Sequence, residues 1–249
     1  MYRKYVPFLL FLFFLYGCNG NKQEEKEDVS VFVDLPQLKA EGEITAVTLY
    51  SSTSYFQYKM QPMGYEYDLI NDFAKSQGLK LNIKVAENPA RLIEMLEAGE
   101  VDVVAYPIPI NNKLKQEVIY CGREDISSQV LIQRANKGDK LLTDVTQLID
   151  KNVYVKPNTK YSERLKNLDE ELGGGIHIQK VENDSIATED LIEMVSLGEI
   201  PYTISDDNTA RLNKTYYWNI NVDLKVSFPQ RSSWVVRKSS PDLDRKSVV

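Results

Sequence analysis

Two distant stretches of the chain carry nearly the same pattern: residues 91–101 read RLIEMLEAGEV and residues 190–200 read DLIEMVSLGEI. In each stretch the apolar residues fall on one side of a 3.6-residue period, which is typical of an amphipathic helix. Each helix is followed by a glycine, Gly99 or Gly198, where a left-handed residue commonly ends a helix, and then by a short apolar run. The pattern predicts a unit of helix, glycine cap and buried strand that is used twice.

Strands and helices alternate around both copies. In the first half we predict strands at residues 44–49, 79–85 and 101–105 and a helix from Gly64 to Gly78. In the second half we predict strands at 130–132, 152–155, 176–181 and 233–237, and a helix at 161–172. Short connections between alternating strands and helices favour parallel sheets with right-handed crossovers.

The alternation of strands and helices begins again in the second half of the chain, and this predicts an α/β fold with two lobes. Lobe 1 is assigned residues 35–131 and 232–249, with a truncated last helix, and lobe 2 is assigned residues 132–231. The chain would cross between the lobes near residues 130–134 and again near 228–234. Because the carboxyl ends of parallel strands frame ligand crevices, two facing lobes predict a cleft between them.

The amino terminus has the pattern of a lipoprotein signal. A cationic start is followed by an apolar run at residues 6–16, too short for the roughly 20 residues of a membrane span. We predict that residues 1–17 are a signal peptide, that Cys18 is lipidated and that residues 18–34 form a polar tether. The alternative is an ordinary signal peptide that happens to contain a cysteine.

Composition excludes some classes of function. The 249 residues carry a formal net charge of -6, which argues against a nucleic-acid partner. The cysteines are Cys18 and Cys121, and we expect Cys121 to be a core residue beside a turn at Gly122. The only histidine, His177, lies between isoleucines on a predicted strand, and we expect no metal site and no cofactor.

Several motifs together resemble a known family. They are the strand to Thr48 with its hydroxyl-rich loop, the GYEYDL motif at residues 64–69, the helix-Gly-Glu-Val-Asp segment that ends at Asp102, and the string YTISD at residues 202–206. Over residues 35–240 the chain resembles extracellular solute-binding proteins of family 3, with the venus-flytrap fold of periplasmic amino-acid binding proteins. More narrowly, it resembles the N-terminal module of membrane-bound lytic transglycosylases of the F type.

This resemblance implies a set of ligand-binding residues. Lobe 1 would contribute Ser52, Thr53, Tyr55, Tyr106 and Ile108, and lobe 2 would contribute Asn158, Thr159 and Asp206. A helix amino terminus at Thr159 favours a carboxylate, and Asp206 could pair with an amine. The alternatives are a solvated loop for residues 52–54 and an ordinary turn or helix cap for Asp206.

One departure from the family concerns the carboxylate of the ligand. Amino-acid binders of the family have an arginine shortly after the third strand, but residues 106–115 contain none. Lys113 or Lys115 could supply a point charge without the bidentate geometry of arginine. The missing arginine argues against a free amino acid as the ligand.

Lytic transglycosylases use a catalytic glutamate followed by serine, and no Glu-Ser pair occurs in the chain. We therefore expect a non-enzymatic binding module for a small peptidoglycan-derived peptide or amino-acid-like ligand, which the resemblance makes the regulatory half of a lytic transglycosylase F-like protein. We expect it to be monomeric and held by its lipid at the outer membrane, on its periplasmic or outer face. The alternative is the substrate-binding lipoprotein of an ABC-type transporter. The aromatic triplet at residues 216–218 could stack on a sugar, but a buried edge of lobe 2 is the expected place for it.

Overall fold

Two five-stranded sheets organise the part of the chain that the computed structural model describes, residues 33–183 and 186–247. The helices are α1 (Leu35–Glu41), α2 (Tyr65–Gln77), α3 (Pro89–Glu97), α4 (Lys160–Glu171), α5 (Thr188–Leu197), α6 (Asp207–Lys214) and α7 (Pro241–Ser247). The strands are β1 (Glu43–Leu49), β2 (Phe56–Tyr58), β3 (Gln61–Met63), β4 (Lys80–Ala86), β5 (Val103–Pro109), β6 (Val118–Ser127), β7 (Gln129–Arg134), β8 (Asn152–Val155), β9 (His177–Lys180), β10 (Tyr202–Asp206), β11 (Ile220–Asn221) and β12 (Gln230–Arg237).

The strand orders are β4-β1-β5-β12-β6 in the first sheet and β11-β7-β10-β8-β9 in the second. Strands β4, β1 and β5 are parallel, and so are β10, β8 and β9, as the alternating pattern predicts. Each sheet also contains antiparallel neighbours, namely β12 beside β5 and β7 beside β10. We refer to the first sheet and its helices as lobe 1 and to the second as lobe 2.

The predicted repeat is confirmed, and it builds the centre of both sheets. Helix α3 leads into β5 and helix α5 into β10, and each of these strands is the third of five in its sheet. Each has one parallel and one antiparallel neighbour. Gly99 and Gly198, with φ of 72° and 81°, take the left-handed conformation expected at the ends of these helices.

Helices cover both faces of each sheet, so most side chains of the central strands are buried. On β1, Ile44 and Ala46 belong to the cluster beneath α1 and α2, whereas Val47 belongs to the cluster beneath α3. The second sheet has the same arrangement, with Leu165 of α4 and Leu191 of α5 in different clusters. Burial on two faces explains why the strands read as continuous apolar runs.

The sequence pattern missed β6, the hairpin of β2 and β3, and α6. Cys121 is buried as expected, but Gly122 lies inside β6 and not at a turn. Its φ of 71° coincides with a shift of register against β12 between Ser232 and Trp234, which is the geometry of a β-bulge. The prediction of a turn was therefore wrong, because a glycine in a bulge gives the same local signal as one in a turn.

The chain changes sheets at Ser128, between the end of β6 and the start of β7. It returns before Gln230, the first residue of β12, which pairs with β6 of the first sheet. Both changes lie a few residues earlier than the predicted lobe boundaries at residues 131 and 232, which remain predictions. The predicted signal peptide, the lipidated Cys18 and most of the tether lie outside the described residues, and no described helix is long and apolar enough to span a membrane.

One carboxylate caps two helices where α1 meets α7. Asp34, which is 4% exposed, accepts hydrogen bonds from the backbone N–H groups of Leu35, Asp242 and Leu243. Ser240 Oγ also donates to the carbonyl of Val33. Because an anionic side chain at a helix amino terminus satisfies otherwise unpaired N–H groups, Asp34 ties the first described helix to the last.

Gly64 positions the loop that follows β1. It precedes α2 with a φ of 136°, and a Cβ atom there would overlap the carbonyl group of Ser54. The loop in turn caps α2, because the carbonyl of Thr53 accepts from the backbone N–H of Tyr65 and that of Ser54 from Tyr67. The close approach of the two backbones therefore requires glycine.

Glu66, in the first turn of α2, is a half-buried carboxylate. It accepts a hydrogen bond of 2.5 Å from the indole N–H of Trp234 on β12. Burial raises the pKa of Glu66 from 4.5 to about 7; the Trp234 hydrogen bond opposes this rise and the charge of Asp125 adds to it. Near neutral pH the folded protein therefore holds Glu66 in both its protonated and its ionised form.

We expect Gly64→Ala to lower the free energy of unfolding by about 2 kcal/mol or more, because it combines a strained backbone with a steric overlap. Gly42→Ala is the matched control, since Gly42 also has a positive φ, of 79°, but has open space around it. The control should cost only about 1 kcal/mol. Urea denaturation measures both, and equal losses would contradict the steric argument.

We expect wild-type stability to fall, relative to Glu66→Gln, as pH rises from about 4.5 to above 7. A raised carboxyl pKa means that the folded state binds the proton more tightly, so this stabilisation is present at low pH and is lost as the folded group ionises. The shift corresponds to about 3 kcal/mol. Urea midpoints at several pH values measure it, with Glu163→Gln, an exposed carboxylate in the first turn of α4, as control. Parallel curves for wild type and Glu66→Gln would disprove it.

Candidate functional site

A cavity of about 410 Å³ lies where the carboxyl ends of the central strands of both lobes meet. Its size is at the lower end of the range for small-molecule sites. Strand ends from lobe 1 contribute Leu49, Ala86 and Pro109, Tyr106 lies in the middle of β5, and Asp206 comes from the end of β10 in lobe 2. The expectation of a cleft framed by strand ends agrees with this position.

Most of the predicted site residues come together around this cavity. Its lining includes Thr53, Tyr106, Ile108, Asn158, Thr159 and Asp206. Two predicted residues have other surroundings. Tyr55 is buried and its ring meets Tyr67 edge-on at 5.7 Å, and Ser52 is exposed and bonded to the opposite lobe.

Asn158 and Thr159 form the turn between β8 and the amino terminus of α4. Asn158 has a φ of 56°, a left-handed conformation that asparagine tolerates better than most residues. Thr159 is the N-cap: its hydroxyl accepts from the N–H of Ser162 and donates to the carbonyl of Lys156. The threonine hydroxyl is thus already used in the cap, so the turn sets the position of the helix end at the cavity.

Asp206 is already paired within the chain. Its Oδ2 atom lies 2.5 Å from Lys160 Nζ and accepts a second hydrogen bond of 3.1 Å from the hydroxyl of Tyr161. The Lys160 and Asp206 side chains are 21% and 19% exposed. The lysine ammonium also lies 5.5 Å from the centre of the Tyr161 ring. The sequence reasoning predicted Asp206 but missed both of its partners.

Tyr106 of lobe 1 faces a group of carboxylates. Desolvation raises the pKa of its hydroxyl above the usual value, and the charges of Asp206, Glu189 and Glu66 raise it further. Burial likewise raises the pKa of Tyr161, followed by the charge of Asp206. Both phenols therefore stay neutral and can donate hydrogen bonds into a region of negative potential.

Direct contacts join the lobes on either side of the cavity. The backbone N–H and the hydroxyl of Ser52 in lobe 1 both donate to Glu189 Oε1 of lobe 2, at 3.0 and 2.9 Å. Asn208 of α6 donates at 3.4 Å to Asp125 of β6. Ser52 therefore contributes to closure of the cleft in the structure, and its predicted contact with a ligand remains a prediction.

The amino termini of the two repeated helices also line the cavity, a feature that sequence reasoning missed. The start of α3 contributes Asn88 and Pro89, and the start of α5 contributes Ala187, Thr188 and Glu189. The repeat could have predicted this position, because the helix that precedes a central strand runs antiparallel to that strand. Its first residues therefore lie at the same edge as the carboxyl end of that strand.

Other candidates from the sequence lie elsewhere. Lys113 and Lys115 are exposed around the 3₁₀ turn Leu114–Gln116, and the lysines that line the cavity are Lys156 and Lys160 from lobe 2. In the aromatic triplet, the expectation of burial was wrong for Tyr216 and Trp218, which are 72% and 82% exposed. They lie on a turn after α6, where only the middle tyrosine of the triplet packs on the core.

Comparison with solved structures supports the two-lobe arrangement. The arginine-bound form of truncated ArgBP from T. maritima superposes with a TM-score of 0.71 and 20% identity, over 85% of this chain and 96% of that chain. An ancestral arginine-binding protein bound to glutamine gives 0.68 and 19%, over 83% and 88% of the two chains. At this level of identity the likeness shows the fold, which is the two-lobe type II fold of periplasmic binding proteins.

Sequence relatives include membrane-bound lytic murein transglycosylase F of Desulfosudis oleivorans, 31% identical over 211 residues, or 83% of this chain and 44% of the relative. The protein of the same name from Pseudomonas fluorescens is 28% identical over 204 residues, or 81% and 41%. The chain thus spans less than half the length of these relatives. The family model of bacterial extracellular solute-binding proteins, family 3, matches residues 44–247, so the chain belongs to that family.

Proposed function

We propose that the chain is an extracytoplasmic binding module whose cleft closes on a small peptidoglycan-derived peptide or amino-acid-like ligand. The observation that carries this proposal is the cavity between the lobes, which places Asp206 and Lys160 opposite Tyr106. Charged and phenolic groups of this kind bind the ammonium and carboxylate groups of amino acids and peptides. The contact between Ser52 and Glu189 joins the lobes beside this cavity.

The wider role that we propose is regulatory. The chain would be the ligand-sensing half of a lytic transglycosylase F-like protein, anchored to the outer membrane by a lipid on Cys18. The likeness to the transglycosylase relatives supports this role, and so does the signal-like pattern before Cys18. In such a protein the module would bind wall fragments without cleaving them.

A second candidate is a transporter substrate-binding lipoprotein, favoured by the arginine-binding proteins among the structural neighbours. The gene neighbourhood separates the two proposals. A reading frame that continues past codon 249 into a helix with a Glu-Ser pair supports the regulatory role. A stop codon followed by a permease gene supports transport.

We expect a ligand from a panel of muropeptides and L-amino acids to raise the melting temperature. A ligand at a hundred times its dissociation constant stabilises the folded state by about 2.7 kcal/mol, which is roughly 5–10 °C for a protein of this size. Thermal unfolding followed by fluorescence measures the shift. No shift with any compound at millimolar concentration would contradict the proposed binding function.

We expect Asp206→Asn to weaken the binding of that ligand at least about tenfold, because it removes the charge that an ammonium group would meet in the cavity. Asp207→Asn is the matched control: Asp207 is the next residue but pairs with Arg211 along α6 and lies outside the cavity lining. Calorimetric titration measures both affinities. Equal losses in the two variants would place the ligand elsewhere.

A further inference from the structure

The ion pair of Lys160 and Asp206 brings together the same two groups, an ammonium and a carboxylate, as a ligand amine bound to Asp206 would. The carboxylate of Asp206 is the group that we expect to receive an amine, and the group that it contacts at 2.5 Å is a primary ammonium. The same ammonium lies near the face of the Tyr161 ring, as ligand cations do in aromatic binding sites. A side chain of the protein thus makes the contacts that a ligand amine would need.

The position of Lys160 allows its ammonium group to contact Asp206 but does not fix it there. Lys160 is the first residue of α4, directly after the N-cap Thr159. An ammonium at that end of a helix is disfavoured by the helix dipole, which favours anions there. Its side chain is partly exposed and carries a flexible four-carbon stem, so the ammonium could leave Asp206 for solvent at modest cost.

The rest of the cavity favours a second cation. Among the described residues that line it, the carboxylates are Glu87, Glu189 and Asp206, and the cations are Lys156 and Lys160. Lys156 donates to the backbone carbonyl of Asn183 and so neutralises no carboxylate there directly. An excess of negative charge therefore remains even when Lys160 is paired, and it attracts an incoming ammonium group to the place that Lys160 occupies.

We propose that Lys160 is a built-in competitor that a ligand ammonium displaces from Asp206, and that it thereby sets the affinity and selectivity of the cleft for amine-bearing ligands. This inference rests on the proposed function. A ligand with a free amino group must replace the contacts of Lys160 before it gains from Asp206. An N-acylated analogue cannot make this exchange, so its affinity does not depend on Lys160.

The test compares wild type with Lys160→Met, which keeps the length of the side chain and removes its charge. The probes are L-glutamine, the amino acid bound in one structural neighbour, and Nα-acetyl-L-glutamine, which has no cationic group. We expect Lys160→Met to bind L-glutamine about tenfold more tightly than wild type does, because it removes a charged hydrogen bond that competes for Asp206. The acetylated probe should bind both proteins equally.

Lys166→Met is the matched control, since Lys166 is exposed on the same helix and pairs with Glu170. It should leave both affinities unchanged. If Lys160→Met fails to fold, Lys160→Gln, which can still donate a hydrogen bond to Asp206, should give a smaller gain in the same direction. Circular dichroism verifies the fold of each variant before titration.

Each outcome of the titration decides the inference. Tighter binding of L-glutamine alone by Lys160→Met supports it. Equal affinities in wild type and variant, or weaker binding by the variant, would overturn it and leave the proposed function intact, and weaker binding would show that Lys160 holds the ligand directly. Absence of L-glutamine binding to both proteins at millimolar concentration overturns the inference, and the proposed function falls with it only if the ligand panel also gives no thermal shift.

Discussion

The relative position of the two sheets depends on the two segments of the chain that cross between them. At Ser128 and Gln129 the first passage lies against the second, because Gln129 accepts from the N–H of Val226 and its own N–H donates to the hydroxyl of Ser227. The carbonyl of Ser128 accepts from the N–H of Asp207, the first residue of α6. These bonds hold the start of α6, and with it the end of β10, beside the crossing. The carboxyl ends of both central strands are thereby brought to one cavity.

The elements that could be predicted from sequence are those with a strong period. Helices α3 and α5 and the strands after them were found because their apolar residues repeat at helical spacing and then run together. Strand β6 was missed since residues 123–125 of this edge strand are charged and exposed, which removes the apolar alternation. Helix α6 was missed because it begins directly after β10, so that no turn residues mark its start in the sequence.

In the candidate site, too, some features could be predicted from the sequence and others could not. Residues on the central strands, such as Tyr106 of β5 and Asp206 of β10, could be placed because the topology brings them together. The partners of Asp206 and Ser52 could not, because these contacts join residues 46 and 137 positions apart. Contacts between residues so far apart in the sequence depend on side-chain direction and on lobe closure. Neither of these produces a periodic pattern in the sequence. Asp206 and Ser52 were thus predicted as ligand contacts, yet both have protein partners in the structure.

The shared cap at Asp34 has a structural consequence. Strand β12 is antiparallel to β5 and leads into α7, so Asp34, which binds the start of α7, lies near the amino-terminal edge of β5, whereas the cavity lies at the carboxyl-terminal edge. A segment joined before Val33 and a segment joined after α7 would therefore diverge from one small region on the far side of the sheet from the ligand site. The bonds of Asp34 to both helices thus join the two ends of the described chain at the edge of the sheet opposite the cavity.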